Sequence, residues 1–218
     1  MGKHSIIVFL AALASPLLFF SCSENDEEVD EFADWKNKNE TYFSQKFQQA
    51  TADATDDLDT IRNYTFVPSA GFDMNKFIVV KKLENGTGSG SPMFTDSVLV
   101  NYRGYLTPSP SYNTTLGGFD LGYVFDQSFS GEYNPNTAKP AKFLVSAMTD
   151  GFCTALQNMR IGDRWLVCIP YTLAYGTSGN GSIPGYSTLV FDISLVAYYR
   201  AGTPTGQKSL RQGRWIFK

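Results

Sequence analysis

Residues 170–195 read PYTLAYGTSGNGSIPGYSTLVFDISL, and the alternation near the end of this stretch decides what kind of domain the chain builds. Leu189, Phe191, Ile193 and Leu195 alternate with Thr188, Val190, Asp192 and Ser194, the two-residue period of a strand with one face turned into a core. Ahead of it, Gly176, Gly179, Gly181, Pro184 and Gly185 permit the tight or left-handed turns that fold a loop over a concave surface. Tyr175, Ile183 and Phe191 are the large side chains set among these small ones.

Working outward, the same period recurs upstream. SVLVNYRGYL (97–106) alternates Val98, Val100 and Tyr102 against Leu99, Asn101 and Arg103. KFIVVKKL (76–83) is a β-branched run that ends at the turn signal ENGTGSG, and RWLVCIP (164–170) returns as a further strand. Within 76–199, only DGFCTALQNMRIGD (150–163) switches to a helical period, with Phe152, Leu156 and Met159 on one face and Gly162 as a stop. Many strands and one short helix predict an α+β domain, an antiparallel curled β-sheet wrapped around that helix. Residues 107–123 are rich in Pro, Ser, Asn and Gly and predict a surface loop, with a substrate-guiding role as the alternative.

In order along the chain, VLVNYRGYL (98–106), VFDQSF (124–129), KPAKFLV (139–145), DGFCTALQNMRIGDRWLVCIP (150–170) and the AYG, IP and TLVFD blocks of the last hairpin resemble the FKBP-type peptidyl-prolyl cis-trans isomerases. The resemblance covers residues 76–199 and implies that fold. It implies catalysis at X-Pro bonds of polypeptide clients, no cofactor, and a pocket open to macrolide-type isomerase inhibitors.

Carried over residue by residue, the family's pocket falls on Tyr102, Phe125, Asp126, Phe152, Tyr175, Ile183 and Phe191. The resemblance makes Phe152 the floor beneath a proline ring, with Tyr102, Phe125 and Phe191 as walls. It makes Tyr175 a hydroxyl donor to a substrate carbonyl, and Asp126 a group that orients its neighbours or meets the twisting amide. Met148 and Thr149 would bind substrate just before the helix. Each aromatic taken singly is explained by core packing; the ordered set follows the pocket pattern.

The chain also departs from that pattern. Phe152 stands where most members have tryptophan, Ala141 where an aromatic usually precedes the KF pair, and Ser182 where an apolar residue usually flanks Ile183. Residues 143–151 are about two positions short, so the match at Met148 and Thr149 is the loosest. A wider, wetter pocket and a weakened isomerase that accepts an apolar X before proline are expected. The competing expectation is a non-catalytic chaperone or partner-binding module.

Composition excludes other chemistries. The only histidine is His4, so no histidine-activated nucleophile or histidine-ligated zinc is available beyond the leader, and no cysteine pair has metal spacing. GTGSG and GTSGNG lack the lysine and the strand-to-helix context of a phosphate loop. With a formal charge of -3 and scattered cations, no nucleic-acid surface is expected. Prolyl isomerisation needs none of these groups, since it breaks no covalent bond.

At the N-terminus, SIIVFLAALASPLLFF (5–20) is an apolar run of signal-peptide length, too short to span a membrane, and Ser21 precedes Cys22. This resembles a lipoprotein signal over 1–21 with Cys22 acylated, despite Phe19 three places before the cysteine; the alternative is an ordinary secretory signal. Anchoring would place the protein at the cell envelope, on the outer membrane of a Gram-negative cell, facing the periplasm or the surface. Residues 22–31 form an acidic tether, which also resembles the surface-export signals of some lipoproteins. From Phe32 to residue 75, Trp35, Phe43, Phe47, Ala50, Ala54, Leu58 and Ile61 recur at helical spacing and predict a helical extension, which either dimerises or packs on its own domain. Residues 200–218 form a basic tail with no family counterpart. Cys153 and Cys168, placed on a helix and a strand, are expected as two buried thiols, although an oxidising compartment would also allow a bridge.

Overall fold

The computed structural model describes residues 29–52, 57–65, 71–200 and 213–217. The leader 1–21, Cys22, the tether up to residue 28 and Ala54 lie outside the described residues.

The alternating stretch at Leu189 opens the longest strand, β9 (Leu189–Arg200), and this strand organises the sheet. On one edge it pairs antiparallel with β3 (Ser97–Tyr105), and on the other with β8 (Arg164–Ile169). Beyond β8 lies β2 (Phe77–Glu84), then β1 (Leu58–Arg62). The far edge of β3 is shared by β6 (Val124–Gln127) and β7 (Ala141–Leu144), which pair with its two halves in turn. A small hairpin, β4 (Thr114–Leu116) and β5 (Phe119–Leu121), stands apart, and β10 (Arg214–Ile216) pairs with the end of β9. Every pairing is antiparallel. This matches the predicted α+β class.

One face of the sheet buries Ile78, Val80, Val98, Val100, Val167, Ile169 and the Leu189, Phe191, Ile193 and Leu195 row against helix α2 (Asp150–Asn158). The helix sits close because Gly151 faces Ile169. A Cβ at that position would stand 2.2 Å from Ile169 Cγ2. The approach sets Phe152, the next residue, at the sheet surface.

The opposite face is also covered, contrary to the one-sided burial that the β9 alternation predicts. Helix α1 (Trp35–Ala52) lays Phe43 and Phe47 over Val79, Leu166, Cys168 and Val190. Its buried stripe is Trp35, Asn39, Phe43, Lys46 and Phe47, a period close to 3.6. The extension therefore packs on its own domain. Farther along the same face, the loop after β6 folds back. The Arg103 guanidinium lies 4.4 Å from the Phe129 ring centre, Arg164 lies 4.5 Å from that of Tyr133, and Arg164 forms a bidentate pair with the buried Asp192.

Two expectations need correction. Leu58 and Ile61 continue the helical spacing, but Leu58–Arg62 is a strand: its backbone completes the edge of β2, and pairing overrides the weak local period. Residues 107–123 are not a simple surface loop, because Phe119 and Leu121 are fully buried beneath α1. Their hairpin is clamped there by Lys46 Nζ donating to the Gly118 carbonyl (2.8 Å) and by the Tyr42 hydroxyl donating to that of Asp120 (2.7 Å). Within the basic tail, Arg214–Ile216 returns to the sheet as β10, with the Trp215 ring 5.5 Å from Tyr199. Cys153 and Cys168 are free and buried, and they belong to the cores on opposite faces of the sheet.

Candidate functional site

Above α2 the curled sheet leaves a hollow of about 270 Å³, lined by Tyr102, Phe125, Asp126, Phe143, Ala147, Met148, Thr149, Phe152, Tyr175 and Phe191. Strand periodicity places each wall. Tyr102 and Phe191 occupy core-facing positions of β3 and β9, Phe125 comes from β6, and Phe143 from β7. Phe152 rises from the first turn of α2.

The rings form a continuous edge-to-face series. Phe143 meets Tyr102 at 5.4 Å between ring centres, Tyr102 meets Phe152 at 6.4 Å, Phe152 meets Phe191 at 5.1 Å, and Phe191 meets Phe125 at 5.5 Å. Each such contact contributes about 0.5–1.5 kcal/mol beyond area burial and fixes ring tilt as well as position. Gly104 makes room for this. A Cβ there would lie 2.5 Å from Phe125 Cζ and 2.7 Å from Phe191 Cε1.

Tyr102, Asp126 and Tyr175 bring three polar groups to the hollow. The Tyr102 hydroxyl donates to Asp126 Oδ2 at 2.6 Å, and Asp126 Oδ1 accepts from the Gln127 backbone N–H at 2.9 Å. Burial, then the Asp126 hydrogen bond and charge, push the Tyr102 phenol well above its ordinary value. It therefore stays protonated and keeps donating. Tyr175 lines the hollow half-buried, and its hydroxyl has no hydrogen-bond partner among the described residues. It is a donor left available to an incoming acceptor.

Tyr175 also opens the flap. Gly176 and Gly181 take positive φ values of 65° and 56°, and Asn180 and Ile183 exchange two backbone hydrogen bonds of 2.9 Å. The Tyr186 N–H donates to the Gly176 carbonyl at 2.9 Å and closes the base.

Of the residues singled out in the sequence, Tyr102, Phe125, Asp126, Met148, Thr149, Phe152, Tyr175 and Phe191 come together around this hollow. Ile183 is buried in the same apolar cluster and is not one of the lining residues. Phe143 and Ala147 line the hollow and were missed. The signal for Phe143 was present in AKFL, where it shares a strand face with Ala141, the position whose small size drew attention instead. Ala141 itself is half-buried and stands outside the lining, while Ser182 is exposed on the flap.

Other hollows differ in kind. One of about 350 Å³ over residues 127–139 and one of about 420 Å³ between β1 and the end of α2 are larger, but neither has a wall of stacked rings. Among the described residues, no group of three or more His, Cys, Asp or Glu side chains is placed to hold a metal ion.

Comparison with known proteins agrees with this geometry. The family model of the FKBP-type peptidyl-prolyl cis-trans isomerases matches residues 88–196, half of the chain, and the chain belongs to that family. It is 36% identical over 126 residues to the macrophage infectivity potentiator of Trypanosoma cruzi, covering 57% of this chain and 55% of that protein. Over 111 residues it is 38% identical to the FKBP-type 22 kDa peptidyl-prolyl cis-trans isomerase of Escherichia coli, covering 50% of this chain and 45% of that one. The chain thus spans about half the length of these curated relatives. The crystal structure of a peptidyl-prolyl cis-trans isomerase from Pseudomonas syringae pv. tomato superimposes with a TM-score of 0.52 at 26% identity, covering 77% of this chain and 95% of that one.

Proposed function

We propose that this protein is a peptidyl-prolyl cis-trans isomerase that acts on X-Pro bonds of exported polypeptides, tethered to the cell envelope through an acylated Cys22. The observation that carries the catalytic reading is the ring-walled hollow, with a fixed carboxylate and an available phenol at its rim.

The chemistry asked of such a site is modest. Rotation about an X-Pro bond is opposed by the ~18–20 kcal/mol cost of losing amide resonance. Bringing tens of seconds down to milliseconds needs roughly 5–6 kcal/mol of stabilisation specific to the twisted amide. That amide is less polarised than the planar one, so a hollow that strips water from the bond favours the twist.

The walls then have distinct tasks. Phe152 and Phe191, edge to face at 5.1 Å, hold the proline ring. Phe125 and Phe143 close the ends of the hollow, and Tyr175 donates to a substrate carbonyl. Asp126, fixed by Tyr102, faces the amide as its carbonyl turns.

The support for the anchor is the leader sequence, namely an apolar run of signal-peptide length and Ser21 before Cys22. No described helix is long and apolar enough to cross a membrane. Palmitate labelling of cells that express the wild type, and its loss in Cys22→Ala, tests this part. Protease shaving of intact cells separates a surface location from a periplasmic one. The catalytic part is tested with an X-Pro tetrapeptide, for which saturable acceleration is expected.

A further inference from the structure

The flap that carries Tyr175 and Ile183 is held by residues from outside the matched family segment. Trp35, at the start of α1, is buried and donates its indole N–H to Ser187 Oγ at 2.9 Å. Ser187 in turn donates to the Pro184 carbonyl at 2.7 Å, directly after Ile183. One turn along α1, Asn39 is fully buried in a stripe that is otherwise mainly aromatic. Its Oδ1 accepts from the Thr188 backbone N–H at 2.7 Å and from the Thr107 hydroxyl at 3.0 Å, while the Thr188 hydroxyl donates to its carbonyl at 3.2 Å.

A buried amide in a helix stripe is costly unless it is fully used, and here its oxygen is used on Thr188, just before β9, and on Thr107, while its NH₂ donates to the Trp35 carbonyl at 2.8 Å. The flap base is also unusual. Tyr186 has φ 64°, a left-handed backbone that bulky residues rarely adopt. Its ring packs on Tyr171 at 5.2 Å with Lys36 Nζ at 5.1 Å, and the Tyr171 hydroxyl reaches Glu40 at 3.4 Å. Contacts from α1 therefore fall on both sides of the flap.

We propose that α1 is a built-in brace for the flap, with Trp35 and Asn39 as positioning residues that hold the flap, and with it Tyr175 at the wall of the hollow, in place before substrate arrives. This rests on the isomerase reading of the site. Preorganisation of a closing loop serves ground state and transition state alike, so its loss raises KM with kcat retained. A merely structural role would do the opposite, because fewer folded molecules lower apparent kcat at constant KM.

The test uses the full-length chain with Trp35→Phe, which keeps an aromatic ring but loses the indole N–H, Ser187→Ala, and the double variant. KM for an X-Pro tetrapeptide is expected to rise about fivefold in each single variant with kcat within twofold, and no further in the double. Amide hydrogen exchange is expected to quicken over 177–183 while β8 and β9 stay protected. Unchanged KM and flap exchange, additive single effects, or a fall in kcat at constant KM would overturn the brace. If Trp35→Phe does not fold, Ser187→Ala decides alone. A wild type without catalysis removes the isomerase reading, and the brace is then judged on flap exchange.

Discussion

The Tyr102 hydroxyl donates to Asp126 Oδ2 across 2.6 Å, from the centre of the sheet to a carboxylate that otherwise faces solvent. With the Gln127 N–H on its other oxygen, the carboxylate is fixed at both ends before any substrate binds. Tyr102→Phe keeps the ring contacts with Phe143 and Phe152 and removes only the hydrogen bond. A hydrogen bond to a charged group contributes about 1.5–3 kcal/mol, and solvent at the rim reduces this. Steady-state kinetics should show kcat/KM down by about tenfold, with far-UV circular dichroism unchanged.

Gly104→Ala tests the ring series from below. The added methyl would overlap Phe125 and Phe191 at 2.5 and 2.7 Å, so both rings must tilt. Overpacking of this kind costs about 1–3 kcal/mol. Urea unfolding should show that loss, and isomerisation should fall by more than about tenfold, since two walls of the site move together.

Phe119→Ala and Phe43→Ala test whether the 107–123 hairpin and α1 are one structural unit. Both rings are buried in the same apolar cluster, and truncating a buried phenylalanine costs about 3–5 kcal/mol. Thermal unfolding should drop strongly in both. Their combined effect should be less than additive, because each leaves a cavity that the other already opens.

Between pH 6 and 9 the rate should be flat. The chain has one histidine, His4, far from the described site residues in sequence, and isomerisation needs no proton transfer. Tyr102 is raised, so its proton is held more tightly folded than unfolded; that stabilisation is complete below the ordinary tyrosine value of about 10 and fades only as pH climbs through the raised one. Burial also pushes the Cys153 thiol up to about 11 and Cys168 higher still. Mass spectrometry after thiol-reagent treatment at pH 8 should find neither residue modified until the protein unfolds. A rate step near pH 7 would reveal a general base that this account lacks.

Much of the site was legible because strand alternation is a strong constraint. Once Leu189, Phe191, Ile193 and Leu195 are placed inward, the aromatic on the core face of each neighbouring strand must follow. The second face was not legible. Val190, Asp192 and Ser194 read as a solvent row, yet all three are buried, because α1 and the loop carrying Phe129 and Tyr133 supply a cover whose packing is entirely long-range. Asn39 could not be singled out either: a polar residue in a helix stripe looks like a flaw in the period until its partners at Thr107 and Thr188 are seen. Leu58 and Ile61 are three apart, which suits a helix, while LDTIR is short enough that pairing with β2 decides its state.

The most direct test is NMR exchange between the cis and trans forms of an X-Pro tetrapeptide with apolar X, in the presence of catalytic amounts of the full chain and of Phe152→Ala. The account predicts saturable acceleration by the wild type, with most of it lost in the folded variant that lacks the floor of the hollow. Exchange at the buffer rate with demonstrably folded wild type, or equal acceleration by Phe152→Ala, would contradict it.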